Sequence, residues 1–281
     1  MGALDSLYKV KAGQWGPYYE AIKDILGDTG TILCFGDVRR GGQPNAATFT
    51  TTRRTASGLE AVFTWSEAPS AFDTAFDLTL PANWQGLAPV LTLNGTDEQV
   101  DSPDATYWTS GNGTPDGATS WGFWARKDNN TGAQAMLVKY GTAGATSEWQ
   151  VTFQSGALRL LCRDNSATVN MFRLEDTASS LEVWHFYLVV YDGSGGASAA
   201  NGITIYVDGA VSASTATNDA AYVAMENQTE VVTLGEFSSA GGSFFGGRII
   251  GGPWGPFYTQ IALTAAQVKR LFEVVAEALG L

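Results

Sequence analysis

The chain carries one histidine, His185, and two cysteines, Cys34 and Cys162, so any chemistry it performs has to be assembled largely from carboxylates and hydroxyls. A hydrolytic triad needs a serine or cysteine activated by an imidazole, and no Gly-X-Ser-X-Gly element accompanies His185. A transition-metal centre needs three or four imidazole or thiolate ligands, more than this chain brings together. Glycoside cleavage needs two carboxylates facing one cleft; on a strand this means acidic residues at alternate positions, because successive side chains point to opposite faces. No glutamate here has an aspartate two residues later, Glu175 and Asp176 are adjacent, and Glu226 and Glu230 stand in a polar loop. No catalytic residue is expected from these patterns. His185 is read as a hydrogen-bonded structural residue and the cysteines, each within an apolar run, as buried free thiols.

Three groups of residues remain as candidates for binding. Tyr107, Trp108, Trp254, Phe257 and Tyr258 lie in segments rich in glycine and proline, where exposed rings could stack on a sugar or meet a protein. Arg39, Arg40, Arg53 and Arg54 are four of the sixteen basic residues; they fall in the polar stretch 37–54, read as a loop that either docks an acidic partner or is merely solvated. Asp97, Asp101 and Asp104 follow one another closely enough to supply oxygen ligands to calcium, with solvated loop carboxylates as the alternative. No other cofactor is expected.

These groups have to be positioned by short strands. The 281 residues are 44% hydrophobic and 16% charged, which describes a chain able to bury a core. Thirty-three glycines spread along the sequence suit many tight turns. From residue 88 onward, strand candidates recur at 90–93, 120–126, 135–140, 149–153, 158–162, 184–191, 203–207 and 231–234, each bounded by turn residues. Residues 1–85 read differently: a short helix between Pro17 and Gly27, then strands near 31–35, 59–65 and 77–80, forming an N-terminal attachment region ahead of a sandwich over 86–281. At the other end, Thr264 is placed to cap a helix whose apolar stripe runs through Val268, Leu271, Phe272, Val275 and Leu279. The net charge of −12 argues against a nucleic-acid partner, no apolar run is long enough to cross a bilayer, and the N-terminus has no signal-peptide pattern.

Three segments resemble the laminin-G-like members of the concanavalin A-like lectin and glucanase superfamily: Trp184-His185 running to Tyr191-Asp192-Gly193, Ile203 to Asp208-Gly209, and Ala262-Leu263-Thr264 entering the closing helix. Weaker echoes lie at Leu93 to Asp97, Trp121 to Arg126, Thr233 to Gly235 and Phe245 to Gly247. The resemblance implies an all-β antiparallel jelly-roll sandwich, here with a small N-terminal α/β region and a C-terminal helix. It also bears on calcium, since the family's late pattern ends in an aspartate where this chain has Ile250. In layout the chain is similar to modules of tailed-phage structural proteins. That likeness implies a non-catalytic virion component, such as a capsid decoration, head fibre or tail part, assembled in the host cytoplasm. Its partners would be other virion proteins, further copies of itself and surface glycans. A carbohydrate-binding lectin and a polysaccharide-cleaving enzyme are the alternatives on the same fold.

Overall fold

A computed structural model describes residues 24–26, 31–32, 48–54, 60–66, 78–79, 90–96, 99–102, 104–113, 115–141, 146–237, 243–250 and 255–281. In chain order the strands are β1 (Thr31–Ile32), β2 (Thr48–Arg54), β3 (Glu60–Ser66), β4 (Leu78–Thr79), β5 (Val90–Asn94), β6 (Val100–Ser102), β7 (Thr119–Lys127), β8 (Ala133–Lys139) and β9 (Trp149–Gln154). They continue with β10 (Ala157–Asp164), β11 (Val169–Glu175), β12 (His185–Tyr191), β13 (Ile203–Val207), β14 (Ala210–Val211), β15 (Ser214–Thr217), β16 (Val232–Leu234), β17 (Gly246–Ile250) and β18 (Phe257–Thr259). Helix α1 (Ala265–Leu279) closes the chain.

The strands form two antiparallel sheets. One runs β14-β13-β12-β7-β17-β5-β4, and β7 also holds β18, which in turn pairs with β1. The other runs β15-β11-β10-β9-β8-β16-β6-β3-β2. We call them the first and second sheet. Alternation decides what fills the space between them. Trp121, Phe123 and Ala125 of β7 and Tyr187, Val189 and Tyr191 of β12 face inward, and meet Trp149, Val151 and Phe153 of β9 and Leu158, Leu160 and Cys162 of β10. Cys162 is a buried free thiol, as expected; Cys34 lies outside the described residues.

The first sheet has a second apolar face. Trp124, Phe186, Leu188 and Tyr206 point away from the sheet interface and are covered by α1 through Val268, Leu271, Val274 and Val275. The ring of Phe272 lies parallel to that of Trp124, centroids 5.6 Å apart. The helix starts where a capping box stops the chain from fraying: Thr264 Oγ1 accepts the Gln267 N–H at 3.3 Å and Gln267 Oε1 accepts the Thr264 N–H at 2.9 Å. The molecule therefore has three layers, helix on sheet on sheet.

Besides the short strands β6, β14, β15 and β18, two longer elements differ from the sequence reading. Thr48–Arg54 is a strand paired along its length with β3, so Arg53 and Arg54 stand opposite Ala61 and Glu60 in a ladder and not in a loop. Its run of threonines has high β-propensity, and arginines are tolerated on strands near a sheet edge. Val169–Glu175 is also a strand, unforeseen because its outward positions mix Asn170, Phe172 and Leu174 and so blur the alternation. The described strands of residues 1–85 pair into the two sheets, and of the expected N-terminal helix only 24–26 is described, as a helical turn.

Gly122 shows how tightly the first sheet and its cover fit. A Cβ there would stand 2.3 Å from Cζ of the buried Phe257. Gly122→Ala is expected to cost about 1–3 kcal/mol through overpacking, read as a lower urea midpoint with an unchanged denaturant slope.

Candidate functional site

The candidate aromatics belong to the core. Trp108 and Tyr258 are 0% exposed and Phe257 is 5% exposed. A ring without an open face cannot stack on a sugar, so these three are corrected from ligand contacts to packing residues. Tyr107 is half-buried with its ring 5.5 Å from that of Trp108, and Trp254 lies outside the described residues. The segment around Trp108 folds inward because the rings reward it: Trp108 meets Tyr258 edge-on at 5.4 Å, and Tyr258 stacks on Trp149 at 5.8 Å.

Drawing this backbone inside leaves polar groups that need partners. Trp149 Nε1 donates to the Trp108 carbonyl at 3.1 Å. The buried Glu148 carboxylate accepts the N–H groups of Ser110 and Gly111 and pairs with the buried Lys139 ammonium at 2.8 Å. Burial pushes the Glu148 carboxyl up, and the Lys139 charge pulls against that shift. Lys139 also holds Asp104 at 2.9 Å, which commits that candidate calcium ligand to an ion pair. Asp101 sits in β6 opposite Thr233 and Ser66, and Asp97 lies outside the described residues. Among the described residues no three acidic, histidine or cysteine side chains come together in a way that could hold a metal. Arg39 and Arg40 are outside the described residues as well.

Asp116 makes a second buried knot. It accepts the hydroxyls of Tyr191 at 2.6 Å and Tyr222 at 2.9 Å and the Met225 N–H at 2.5 Å, joining three separate segments. His185 is the centre of a third network, this one partly exposed. Its Nδ1 lies 2.7 Å from Asp208 Oδ2 and its Nε2 lies 2.8 Å from Ser180 Oγ. A carboxylate only accepts, so Nδ1 carries the proton and, in the neutral ring, Nε2 takes the serine's. This is the connectivity of a hydrolytic relay, which the sequence patterns did not suggest. Its position makes it a structural clasp instead. Asp208 holds a positive φ of 51° in the β13–β14 turn, and its other oxygen accepts the Phe186 N–H at 2.9 Å. The imidazole thus pins the turn to the start of β12.

The outward face of the second sheet is chemically different from everything above. With Trp149, Val151, Leu158, Leu160, Cys162 and Met171 pointing into the core, alternation turns Gln150, Thr152, Arg159, Arg163, Asn170 and Phe172 outward. Arg159 donates through Nη2 to Gln150 Oε1 at 3.1 Å and its guanidinium lies 5.8 Å from the centre of the Phe172 ring. Arg163 donates through Nη1 to Asn170 Oδ1 at 3.1 Å. The Nε groups of both arginines and the hydroxyls of Thr152 and Thr233 are buried without a hydrogen-bond partner. The described ion pairs include neither arginine. Burial lowers the Arg159 pKa to about 10, with a nearby Tyr140 opposing. Thr152 and Thr233 are 0% exposed and Gln150 is 4% exposed, so much of this face is itself buried, and its partly exposed side chains are those of Arg159, Arg163, Asn170 and Phe172.

A family model described as the concanavalin A-like lectin/glucanases superfamily matches residues 94–250, more than half of the chain. The chain belongs to that superfamily. Among solved structures, the binding domain of botulinum neurotoxin serotype G superposes with a TM-score of 0.56 at 11% identity, covering 88% of this chain and 51% of the toxin chain. The serotype D binding domain gives 0.54 at 12% identity, covering 90% and 52%. This superfamily member thus spans about half the length of those toxin domains, and at such identities the likeness concerns the fold. A search of curated proteins found no match.

The outward arginines escaped the sequence reading, although a signal was present. Arg159 and Arg163 are four apart in an apolar strand, which places them on one face; without the partner strand β11, whose pattern is blurred, that face is not visible. Of the buried groups, Asp116 yields the sharpest expectation. Burial raises its carboxyl pKa above the ordinary 3.8, against its three hydrogen bonds, with the Asp164 charge adding to the rise. The native state therefore holds this proton more tightly than the unfolded chain, and the associated stability is present below 3.8 and lost as pH rises through the raised value. Urea midpoints measured from below pH 3.8 toward neutrality should show wild type losing ground to Asp116→Asn; a constant difference would contradict this.

Proposed function

We propose that this superfamily member is a non-catalytic carbohydrate-binding module carried on a tailed-phage virion. The observation that carries the carbohydrate reading is the partly exposed strip of β10 and β11, where the Arg159 guanidinium lies 5.8 Å from the centre of the Phe172 ring and Arg163 donates to the Asn170 amide. Sugars are recognised by planar hydrogen-bonding groups beside an aromatic surface, and the face offers both. The first sheet has no comparable face, because α1 occupies it. The non-catalytic reading is supported by the missing paired-carboxylate pattern.

The virion setting is supported by the layout of the chain, by its net charge of −12 and by the place of Arg53 and Arg54 at the end of β2, the last strand in the order of the second sheet. A basic strand end there would dock an acidic partner or another copy while the second sheet displays its outward face. Light scattering should then give a defined oligomer, or a particle-sized complex in lysate of the source; a monomer under both conditions would remove the virion reading. On a glycan array the full chain should bind a restricted set of saccharides, and Phe172→Ala should weaken binding tenfold or more with an unchanged circular dichroism spectrum. Release of reducing ends from a bound polysaccharide would overturn the non-catalytic assignment.

A further inference from the structure

We propose that Lys139 and Asp104 react with each other in the folded chain, forming an isopeptide bond between Nζ and Cγ with loss of one water and with Glu148 as the proton carrier. This bond is independent of any ligand on the second sheet. Lys139 Nζ lies 2.9 Å from Asp104 Oδ1 and 2.8 Å from Glu148 Oε2, so one amine and two carboxylates meet at a single point. The Asp104 carboxyl carbon is one C–O bond further on, within about 4 Å of the nitrogen, close to the separation from which partners held in place react. Lys139 and Glu148 are 0% exposed, which excludes the water that would otherwise hydrate both charges. The Asp104 side chain is 29% exposed and gives the released water a way out.

Glu148 is held in position for the transfer. Its Oε1 accepts the N–H groups of Ser110 and Gly111, which leaves Oε2 turned to the lysine. Burial pushes the carboxyl pKa up, so this carboxylate is a stronger base than an exposed one. Glu148 Oε2 takes one proton from the Lys139 ammonium and passes it to the Asp104 carboxylate. The neutral amine then attacks Cγ, a second proton moves from the nitrogen through Glu148 to an Asp104 oxygen, and that oxygen leaves as water. Glu148 ends as the carboxylate it began as, and an ammonium and a carboxylate have become one neutral amide. The surroundings keep the partners still: Trp149, next to Glu148, donates to the Trp108 carbonyl, and the Tyr258 hydroxyl lies 2.9 Å from Ser110 Oγ. Asp104 follows β6 and Lys139 ends β8, while β7 between them belongs to the first sheet, so the bond closes a covalent loop through both sheets. Such a loop restricts the unfolded chain as a disulfide does.

The intact mass of the full chain, kept in native buffer and then denatured, should be lower than its sequence mass by one water, and peptide mapping should find Lys139 joined to Asp104. Lys139→Arg, which keeps a cation but no attacking amine, should show its full sequence mass. Glu148→Gln, which can still accept the Ser110 and Gly111 N–H groups, should do the same. Asp104→Asn would release ammonia in place of water, so its product should have the same mass as the wild-type product although the two sequences differ. This variant lies at the rim and serves if the two buried ones fail to fold. Full sequence mass in the wild-type protein would overturn the proposal and leave an ion-paired trio. A water loss that maps elsewhere, such as a succinimide at Asp116-Gly117, would overturn it equally.

Discussion

The contact on which most of this molecule depends is the meeting of Trp149 from one sheet with Tyr258 and Trp121 from the other. Large rings dominate core energetics because each buries so much surface, and these three fill the sheet interface where the segment 104–113 crosses it. Once that segment is drawn in to add Trp108, its N–H and C=O groups leave water and must be paired. Glu148, Lys139 and Asp116 stand where those groups end. Charged residues at such depth are explained by the aromatic packing that brought the backbone to them, and they need no catalytic role to account for their burial.

The same demand for partners separates the two faces of the molecule. Elsewhere in the described chain ionisable groups and the helix cap are matched, whether buried as Asp116 is by three donors or partly exposed as with His185 by Ser180 and Asp208 and Thr264 by Gln267. On the outward face of the second sheet the matching stops, with Arg159 and Arg163 held by neutral amides. A polar network that is left incomplete lowers stability, and proteins commonly keep such costs at sites of recognition.

Much of the fold could be read in advance because it is written in local signals. Short apolar runs bounded by turn residues marked β7, β9, β10 and β12, the Asp208-Gly209 pair marked a hairpin turn, and Thr264 marked the helix start. The polar outward side of the second sheet could not be read the same way. Whether Trp108 or Tyr258 is exposed depends on which distant strand covers it, and their setting in glycine- and proline-bearing segments pointed the wrong way. Arg159 becomes informative only beside Gln150 and Phe172, which reach it from two neighbouring strands. Recognition of β11 would have required seeing that Met171 and Val169 anchor its inward side among residues of mixed character.

Because α1 takes up one broad face of the sandwich, copies of this module held side by side through their edges would all offer the same remaining face in the same direction. An array built in this way has valency: individually weak contacts to a repetitive surface become joint ones, since each copy that lands raises the effective concentration of its neighbours' ligands. The helix that stabilises a single domain would then also set the polarity of an assembly, giving it an adhesive side and a plain one.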